Sequence, residues 1–358
     1  MRLVLIGDGE SPHLLKWARA LSAQPELELW AASSRRFAAG FDAVVPAERL
    51  LALDTKPDVA GGNVAVLCHL PRLAHWLRRL DADWLHAHYL SSHGTLAWLA
   101  KRLYRLRGRL VSSAWGSDIL VGPAQNAALR WVTARVLRSS ALVTSDSQHM
   151  AQRMHALGAR EVMVFPFGLD ELPPNIDAKN ERLFFANRLL EPLYAPQRVL
   201  DVFGAVAQDW PDAQLVVAND GSLRGALERT AAAAPWGARV RFVGRLDARA
   251  QDHWYRSARW HLSLPRSDSV SVSVLEAMSH GCVPVLSDLP ANHELVRDGI
   301  NGVIAAGDAT RAAHSIQQLA ARADEVAAAN RAWIAEHAIF PLAVQRLVAR
   351  LHELERAA

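Results

Sequence analysis

The sequence predicts an α/β protein made of two doubly wound, parallel-sheet domains. Three features of the chain predict it. Short apolar runs alternate with amphipathic helical stretches between Arg2 and Phe165. The alternation stops in a polar stretch at 168–182 that holds Leu172-Pro-Pro-Asn175 and Asp177-Ala-Lys-Asn180, and then it resumes. The length of 358 residues is long for one such domain and comfortable for two.

In the first half, apolar runs predict strands at Arg2–Ile6, Leu27–Ala32, Val64–Leu67, Trp84–His86, Leu110–Ser113, Ala141–Thr144 and Val162–Phe165. Helical periodicity fills gaps between them, as at Leu14–Ala23, Thr95–Arg105, Ala127–Leu137 and Ser147–Leu157. Ser11-Pro12 suits a helix start, because proline needs no partner for a missing N–H at the first helical position. The stretch 171–182 reads as the interdomain linker. Beyond it come strand Leu183–Ala186, helix Arg198–Gln208, strand Gln214–Ala218, helix Leu223–Ala233, strand Val240–Val243, helix Arg249–Ser257 and strand Trp260–Leu264. A helix starting near Ser273 and strand Val283–Leu286 follow. Ala-rich helices cover 309–335, and an amphipathic helix Leu342–Leu354 closes the chain.

Bulk composition excludes several classes. With 51% hydrophobic and 21% charged residues, this is an ordinary globular chain. Two cysteines, Cys68 and Cys282, fall in different halves, so a disulfide framework is not expected and a reducing cytosol fits. The apolar run near the N-terminus reads as a buried first strand and not as a leader peptide. No segment approaches the roughly 18 apolar residues needed to span a bilayer. Lys101, Arg102, Arg105, Arg107 and Arg109 lie close together, and Arg78 and Arg79 close a nearby helical segment. No helix-turn-helix, zinc-finger or RNA-binding signature accompanies them, so nucleic acid is not expected as a partner. An anionic membrane surface or a phosphate-linked acceptor suits them better, and a solvated helix end is the simpler alternative.

The most informative stretch is 262–302. An apolar strand runs into Arg266-Ser-Asp268-Ser-Val-Ser-Val-Ser, then into a helix carrying Glu276-Ala-Met, then to Gly281 and a second strand containing Pro284-Val, and later to Glu294 and Asp298-Gly-Ile-Asn-Gly302. At the carboxyl end of a strand in an open sheet, such a loop-to-helix junction faces ligand. Its backbone N–H groups, at Ser271, Val272 and Ser273, suit an anion. Glu276, one turn inside the helix, can accept two ribose hydroxyls, and Asp268 would lie further out, near a sugar ring. Ser273-x-x-Glu276 is also the pattern of a capping box, which needs no ligand at all.

These residues closely resemble the signature of the family 4 glycosyltransferases. That resemblance implies the GT-B architecture: two Rossmann-like domains facing across a cleft. It assigns 1–170 to the acceptor side, joined by 340–358 as a C-terminal helix crossing back, and 183–339 to the nucleotide-sugar side. Phe167-Gly168-Leu169-Asp170 matches its domain crossing. It also implies a metal-independent, retaining transfer in which the leaving phosphate takes the acceptor proton, with no cofactor beyond the co-substrate. Asp268 stands where the family has Glu, and Arg188, after strand Leu183–Ala186, resembles its diphosphate-gripping Arg. The Lys that usually follows is missing, and Tyr194 or Arg198 is left to compensate. Val243-Gly244-Arg245-Leu246 resembles the segment that passes the nucleobase, and Asn219-Asp220-Gly221 partly matches a neighbouring turn.

In the first domain, Gly7-Asp8-Gly9 lacks the third glycine of a dinucleotide site because Pro12 stands there, so by resemblance Gly9 meets diphosphate or acceptor. His86 and His88 alternate, but no third ligand has metal spacing. His88 belongs to the reacting side if its strand end lies there, and otherwise is a satisfied structural histidine. Trp115 replaces the family's His in Ser113-Ala-Trp115-Gly116-Ser117-Asp118, so a proton shuttle at that position is untenable, while Asp118 binds acceptor hydroxyls or orients the loop. Asp81-Ala-Asp83 precedes its strand and so falls at the wrong edge for a metal pair.

The expected function is transfer of a sugar from a nucleoside diphosphate, UDP in preference to GDP, to a saccharide or lipid-linked saccharide of the bacterial surface-polysaccharide type. Catalysis falls to Asp268, Arg188 and His88. Glu276, Arg188, Ser271, Val272, Ser273, Gly244, Leu246 and Tyr194 hold the donor, and Gly9, Trp115 and Asp118 contact the acceptor or sugar. The expected location is the cytoplasm, peripheral to the inner face of the membrane. A UDP-sugar epimerase on the same fold and a non-catalytic nucleotide-sugar-binding subunit are the alternatives.

Overall fold

A computed structural model describes residues 1–55, 64–175 and 178–357. The chain forms two compact units, Met1–Phe165 with Phe340–Ala358, and Pro166–Ile339.

Unit 1 begins with β1 (Arg2–Gly7), whose buried Leu3–Ile6 run is the mark of a strand covered on both faces. It continues through α1 (Pro12–Ser22), β2 (Glu28–Ser33), β3 (Leu50–Ala52), α2 (Leu70–Leu80), β4 (Trp84–His88), α3 (Thr95–Tyr104) and β5 (Arg109–Ser113). Then follow α4 (Ser117–Leu120), α5 (Gly122–Gln125), α6 (Ala127–Ser139), β6 (Leu142–Ser145), α7 (Gln148–Leu157) and β7 (Val162–Val164). The seven strands are parallel in the order β3-β2-β1-β4-β5-β6-β7. Ser11 caps α1 by accepting from the His13 N–H, with Pro12 at its start, as the dipeptide predicted.

Unit 2 holds β8 (Asn180–Ala186), α8 (Pro196–Asp209), β9 (Gln214–Ala218), α9 (Arg224–Ala233), β10 (Val240–Gly244), α10 (Ala248–Ser257), β11 (Ala258–Ser263) and α11 (Val272–Ser279). β12 (Val283–Ser287), α12 (Pro290–Leu295), β13 (Val303–Ala305), α13 (Ala309–Ala320) and α14 (Ala323–His337) complete it. Its six parallel strands run in the order β10-β9-β8-β11-β12-β13. Both units thus form the two Rossmann-like sheets that the alternation predicted.

Four elements differ from expectation, the unforeseen edge strand β13 among them. Val64–Leu67 is a 3-10 turn, Val64–His69, and not a strand. An apolar run of four carries no period that separates strand from helix. The third strand is instead Leu50–Ala52, an edge strand of three residues. β8 begins at Asn180, inside the stretch read as linker, and residues 176 and 177 of that stretch lie outside the described residues.

The chain enters unit 2 beside the place where it leaves it. Leu169 N–H donates to Ala338 O at 2.8 Å, and Leu169 bridges Ile339. A Cβ on Gly168 would lie 1.9 Å from Ala338 O, so this close approach of two backbones admits only glycine. After Ile339 comes α15 (Phe340–Arg356), which returns to unit 1 and contacts α1. Its Leu347, Val348 and Leu351 are fully buried, the Phe340 ring meets Trp17 edge-on at 4.9 Å, and Glu355 accepts from the Trp84 indole at 2.8 Å. Arg350 grips both oxygens of Glu161, at 2.7 and 3.0 Å.

Because α15 completes the core of unit 1, Leu347→Ala should cost about 2–5 kcal/mol. Urea unfolding should show a lower midpoint for the transition that carries unit 1. An unchanged midpoint would mean that α15 adds nothing to that core.

Candidate functional site

In unit 2 the strand order reverses its direction of growth between β8 and β11. Loops leaving the carboxyl ends of two such strands diverge and open a crevice, where open α/β sheets take their ligands. The loop after β8 carries Arg188 and the loop after β11 carries Asp268. Their side chains meet across the crevice, Arg188 Nη2 to Asp268 Oδ2 at 2.7 Å. Arg188 Nη1 donates to Ser271 Oγ, which lies 2.9 Å from Ser273 Oγ. The guanidinium rests on the Tyr194 ring, 4.6 Å from its centroid. Tyr194 thus forms a platform beneath Arg188. Burial pushes the Asp268 carboxyl up, while the Arg188 charge and the Ser269 N–H pull it down.

Glu276 sits one turn inside α11, whose N-cap is Ser271. A capping box would need Ser273 at the cap; here Ser273 is already helical, so that alternative fails. Glu276 Oε2 instead accepts from Tyr255 Oη at 3.0 Å and Gln251 Nε2 at 3.2 Å, both on α10. Tyr255 Oη in turn accepts from Asn187 Nδ2 at 2.7 Å. Burial first, and the Glu276 charge second, hold the Tyr255 phenol well above its usual range, so it stays a neutral donor. His280 stacks on Tyr255 at 5.5 Å and meets Asp252 Oδ1 at 2.9 Å.

Backbone links tie in the loops after β9 and β10. Asn219 Nδ2 donates to Asn187 O and Asn219 N–H donates to Gly244 O, each at 2.6 Å. Asn219 and Gly244 both have positive φ, 73° and 71°. Leu246 packs half-buried against the cluster that contains Tyr255. The predicted donor residues Arg188, Asp268, Ser271, Val272, Ser273, Glu276, Gly244, Leu246 and Tyr194 therefore all lie in or beside the loops at the carboxyl edge of this sheet. Sequence reasoning missed Asn187, Gln251 and Tyr255. The only signal for the latter two was their i, i+4 spacing on one helix face.

In unit 1 the corresponding switch point lies between β1 and β4. Three of the sequence assignments change here. Gly9 N–H already donates to Ser33 Oγ at 2.8 Å, and a Cβ there would lie 2.6 Å from Arg36 O. Gly9 therefore allows two loops to touch, and its amide is committed within the fold. Asp118 is 1% exposed; its oxygens accept from the N–H groups of Leu90 at 2.8 Å and Trp115 at 2.9 Å. It holds the loop and does not reach an acceptor hydroxyl. His88 is buried, and its Nδ1 accepts from the Trp115 indole at 3.2 Å. Its Nε2 is enclosed, so His88 has no path to exchange a proton with a substrate. His88 is thus a buried histidine satisfied at one nitrogen only: Trp115 holds Nδ1, and Nε2 has no hydrogen-bond partner among the described residues.

Trp115 remains half-buried, with His13 edge-on at 5.0 Å. Asp83 accepts from Arg2 N–H at 2.7 Å at the amino edge of the sheet, which removes Asp81-Ala-Asp83 from the ligand side. Among the described residues no group of three or more His, Cys, Asp and Glu is placed to hold a metal ion.

Burial holds His86 down to about 3 and His88 well below the usual imidazole range, with His86 and His93 adding to it. His93 and His261 are lowered for the same first reason. Unfolded, these groups titrate near 6.5, so below that pH the unfolded chain binds more protons and stability falls. Asp118, pushed up to about 6 by burial, acts in the opposite sense: its folded form keeps the proton between its unfolded value and 6, so acidification favours the fold. The histidines outnumber it. The urea midpoint should drop between pH 7 and pH 5, and more steeply in Asp118→Asn. A flat profile, or an identical slope in the variant, would contradict these assignments.

Comparison with known proteins agrees with this geometry. The model "Glycosyl transferase 4-like" matches residues 2–147 and "Glycosyl transferases group 1" matches 180–322. The phosphatidyl-myo-inositol mannosyltransferase of Mycobacterium tuberculosis is 27% identical over 305 residues, covering 81% of this chain and 77% of that protein. Among solved structures, Anabaena HepE in complex with UDP superposes with a TM-score of 0.77 at 16% identity, over 99% of this chain and 100% of that one. The apo lipopolysaccharide outer core galactosyltransferase WaaB gives 0.74 at 13% identity, over 98% and 99%.

Proposed function

We propose that this chain, a family 4 glycosyltransferase of the GT-B fold, transfers a hexose with retention from a UDP-sugar to a saccharide or lipid-linked saccharide, without a metal. The observation that carries the reading is the convergence of Arg188, Asp268, the start of α11 and Glu276 at the switch point of unit 2. Departure of a diphosphate builds negative charge that must be neutralised. Arg188 supplies a bidentate cation, and the Val272 and Ser273 amides lie in the first turn of α11, where no intrahelical acceptor exists. Together these take the place that a divalent cation fills elsewhere.

Glu276 accepts the ribose hydroxyls. Tyr255 and Gln251 already aim its carboxylate, so little ordering remains to be done on binding. Asp268 faces the transferred sugar once the diphosphate has taken over Arg188. With His88 enclosed and Trp115 unable to move a proton, the departing phosphate is left as the base for the acceptor hydroxyl, which suits retention. UDP as the nucleotide is supported by the fold likeness to HepE, which was solved with UDP. A lipid-linked acceptor is supported by the mannosyltransferase relative, whose name specifies a phosphatidylinositol substrate.

UDP at 100 times its Kd should stabilise the protein by about 2.7 kcal/mol, a clear rise in Tm. Glu276→Ala should remove most of that rise and increase the donor KM. Full retention of both would reduce Glu276 to a helix residue of no functional weight. The anomeric configuration of the product, read by NMR, should match that of the donor, and EDTA should leave turnover unchanged. An inverted product or loss of turnover in EDTA would overturn the corresponding part of the mechanism.

A further inference from the structure

The cation that the donor reading sets against a diphosphate is already engaged within the protein. Arg188 Nη2 lies 2.7 Å from Asp268 Oδ2, and the two side chains are only 20% and 23% exposed. Arg188 Nη1 donates to Ser271 Oγ, and the Tyr194 ring lies beneath the guanidinium. Asp268 Oδ1 accepts from the Ser269 N–H at 3.0 Å. Among the described residues no second cation stands within ion-pair distance of Asp268, and no second carboxylate within that distance of Arg188. Arg266, two residues earlier on the same loop, is exposed, and its backbone N–H donates to Leu193 O at 2.8 Å. Each member of the pair therefore depends on the other for its compensating charge.

An anion that claims Arg188 leaves Asp268 as a part-buried carboxylate with no cation, and breaking a buried pair in this way is costly. Burial already pushes the Asp268 carboxyl up, and the Arg188 charge pulls against it. The cost is not the same for the two nucleotides of the reaction. A nucleoside-diphosphate sugar brings hydroxyls that can donate to the released carboxylate. The nucleoside diphosphate left after transfer brings none. The bond from the anomeric carbon to the phosphate oxygen has broken with its electron pair left on that oxygen, and the new bond joins the same carbon to the acceptor oxygen. The acceptor proton passes to the phosphate and is then largely lost to water near neutral pH, because the second pKa of a phosphate monoester is about 6. The product thus carries one more negative charge than the donor, at the end that the donor reading sets against Asp268.

We propose that Asp268 discriminates between the two nucleotides of the reaction. It yields Arg188 to a nucleoside-diphosphate sugar and contests it against the free nucleoside diphosphate, so that re-formation of the Arg188–Asp268 pair helps to expel the product. The inference deepens the donor reading and rests on it. The role needs a negative charge at position 268, not merely a polar side chain of that size.

The test is isothermal titration calorimetry of the full chain with UDP, with the β-methyl ester of UDP and with UDP-glucose, in the absence of acceptor. The ester caps the extra charge whatever sugar the enzyme takes. Asp268→Asn keeps the size and loses the charge. It should bind UDP about fivefold or more tighter than the wild type does, with a smaller gain for the ester. Any gain for UDP-glucose should be smaller still. Asp268→Glu, which restores the charge, should keep the wild-type ratio of UDP to ester affinity. Each variant is first checked for a wild-type Tm, and Asp268→Ser takes the place of Asp268→Asn if the latter does not fold. An unchanged or weaker affinity of the neutral variant for UDP overturns the proposal. So does an equal gain for UDP and its ester, or the same change in Asp268→Glu, which would make shape the cause and not charge. Wild-type protein that binds neither UDP nor its ester removes the donor reading and this inference together, whereas wild-type binding with no change in the neutral variant removes this inference alone.

Discussion

The contact on which the site depends is the ion pair between Arg188 and Asp268. A partly buried guanidinium needs a partner, because a charge drawn out of water and left alone is costly. In unit 2 the partner comes from the other side of the strand reversal, so one contact joins the loop after β8 to the loop after β11. Tyr194 beneath the guanidinium and Ser271 beside it fix the plane of the fork. An arginine held in this way is already shaped for a planar, two-point anion. In this structure Asp268 takes one point of that fork and Ser271 the other.

A second network holds the other half of the candidate site, and it works by neutrality. Tyr255 keeps its proton because it is buried beside Glu276, and a phenol that keeps its proton can only donate to that carboxylate. Asn187 closes the chain by donating to the phenol oxygen. Since Asn187 directly precedes Arg188, the strand end that aims the cation also steadies the tyrosine that aims the carboxylate. The Arg188 and Glu276 sides of the crevice are therefore one mechanical unit, built from β8, α10 and α11.

Unit 1 uses its polar residues differently. His86, His88 and Asp118 sit at the matching edge of its sheet, yet all are buried and serve the loops around them. Trp115 joins two of these arrangements, since its indole fixes the His88 ring while its backbone N–H satisfies Asp118. What this edge offers outward is the half-buried Trp115 beside His13 and the ion-paired cluster of Arg35 with Asp8 and Glu10. A group of arginines with no ion pair among the described residues stands, by contrast, at the opposite edge of the sheet, on the last turns of α3 and α6.

The sequence by itself determined the sheet class, the end of the first alternation near Phe165 and the loops that meet at the carboxyl edge of the second sheet. Apolar strands covered on both faces, a proline-bearing interruption, and a serine-rich loop between Asp268 and Glu276 are all local patterns, and local patterns survive without coordinates. It could not place the three-residue strand Leu50–Ala52, which has no period, or tell Val64–Leu67 from a strand. It could not choose between a capping box and a ligand carboxylate for Glu276, because that choice turns on which residue begins the helix. Nor could it know that Asp118 and His88 are enclosed while Tyr255 aims Glu276. Burial and partnership are properties of what packs on a residue from distant parts of the chain, and the number of such neighbours is fixed only when the sheets close.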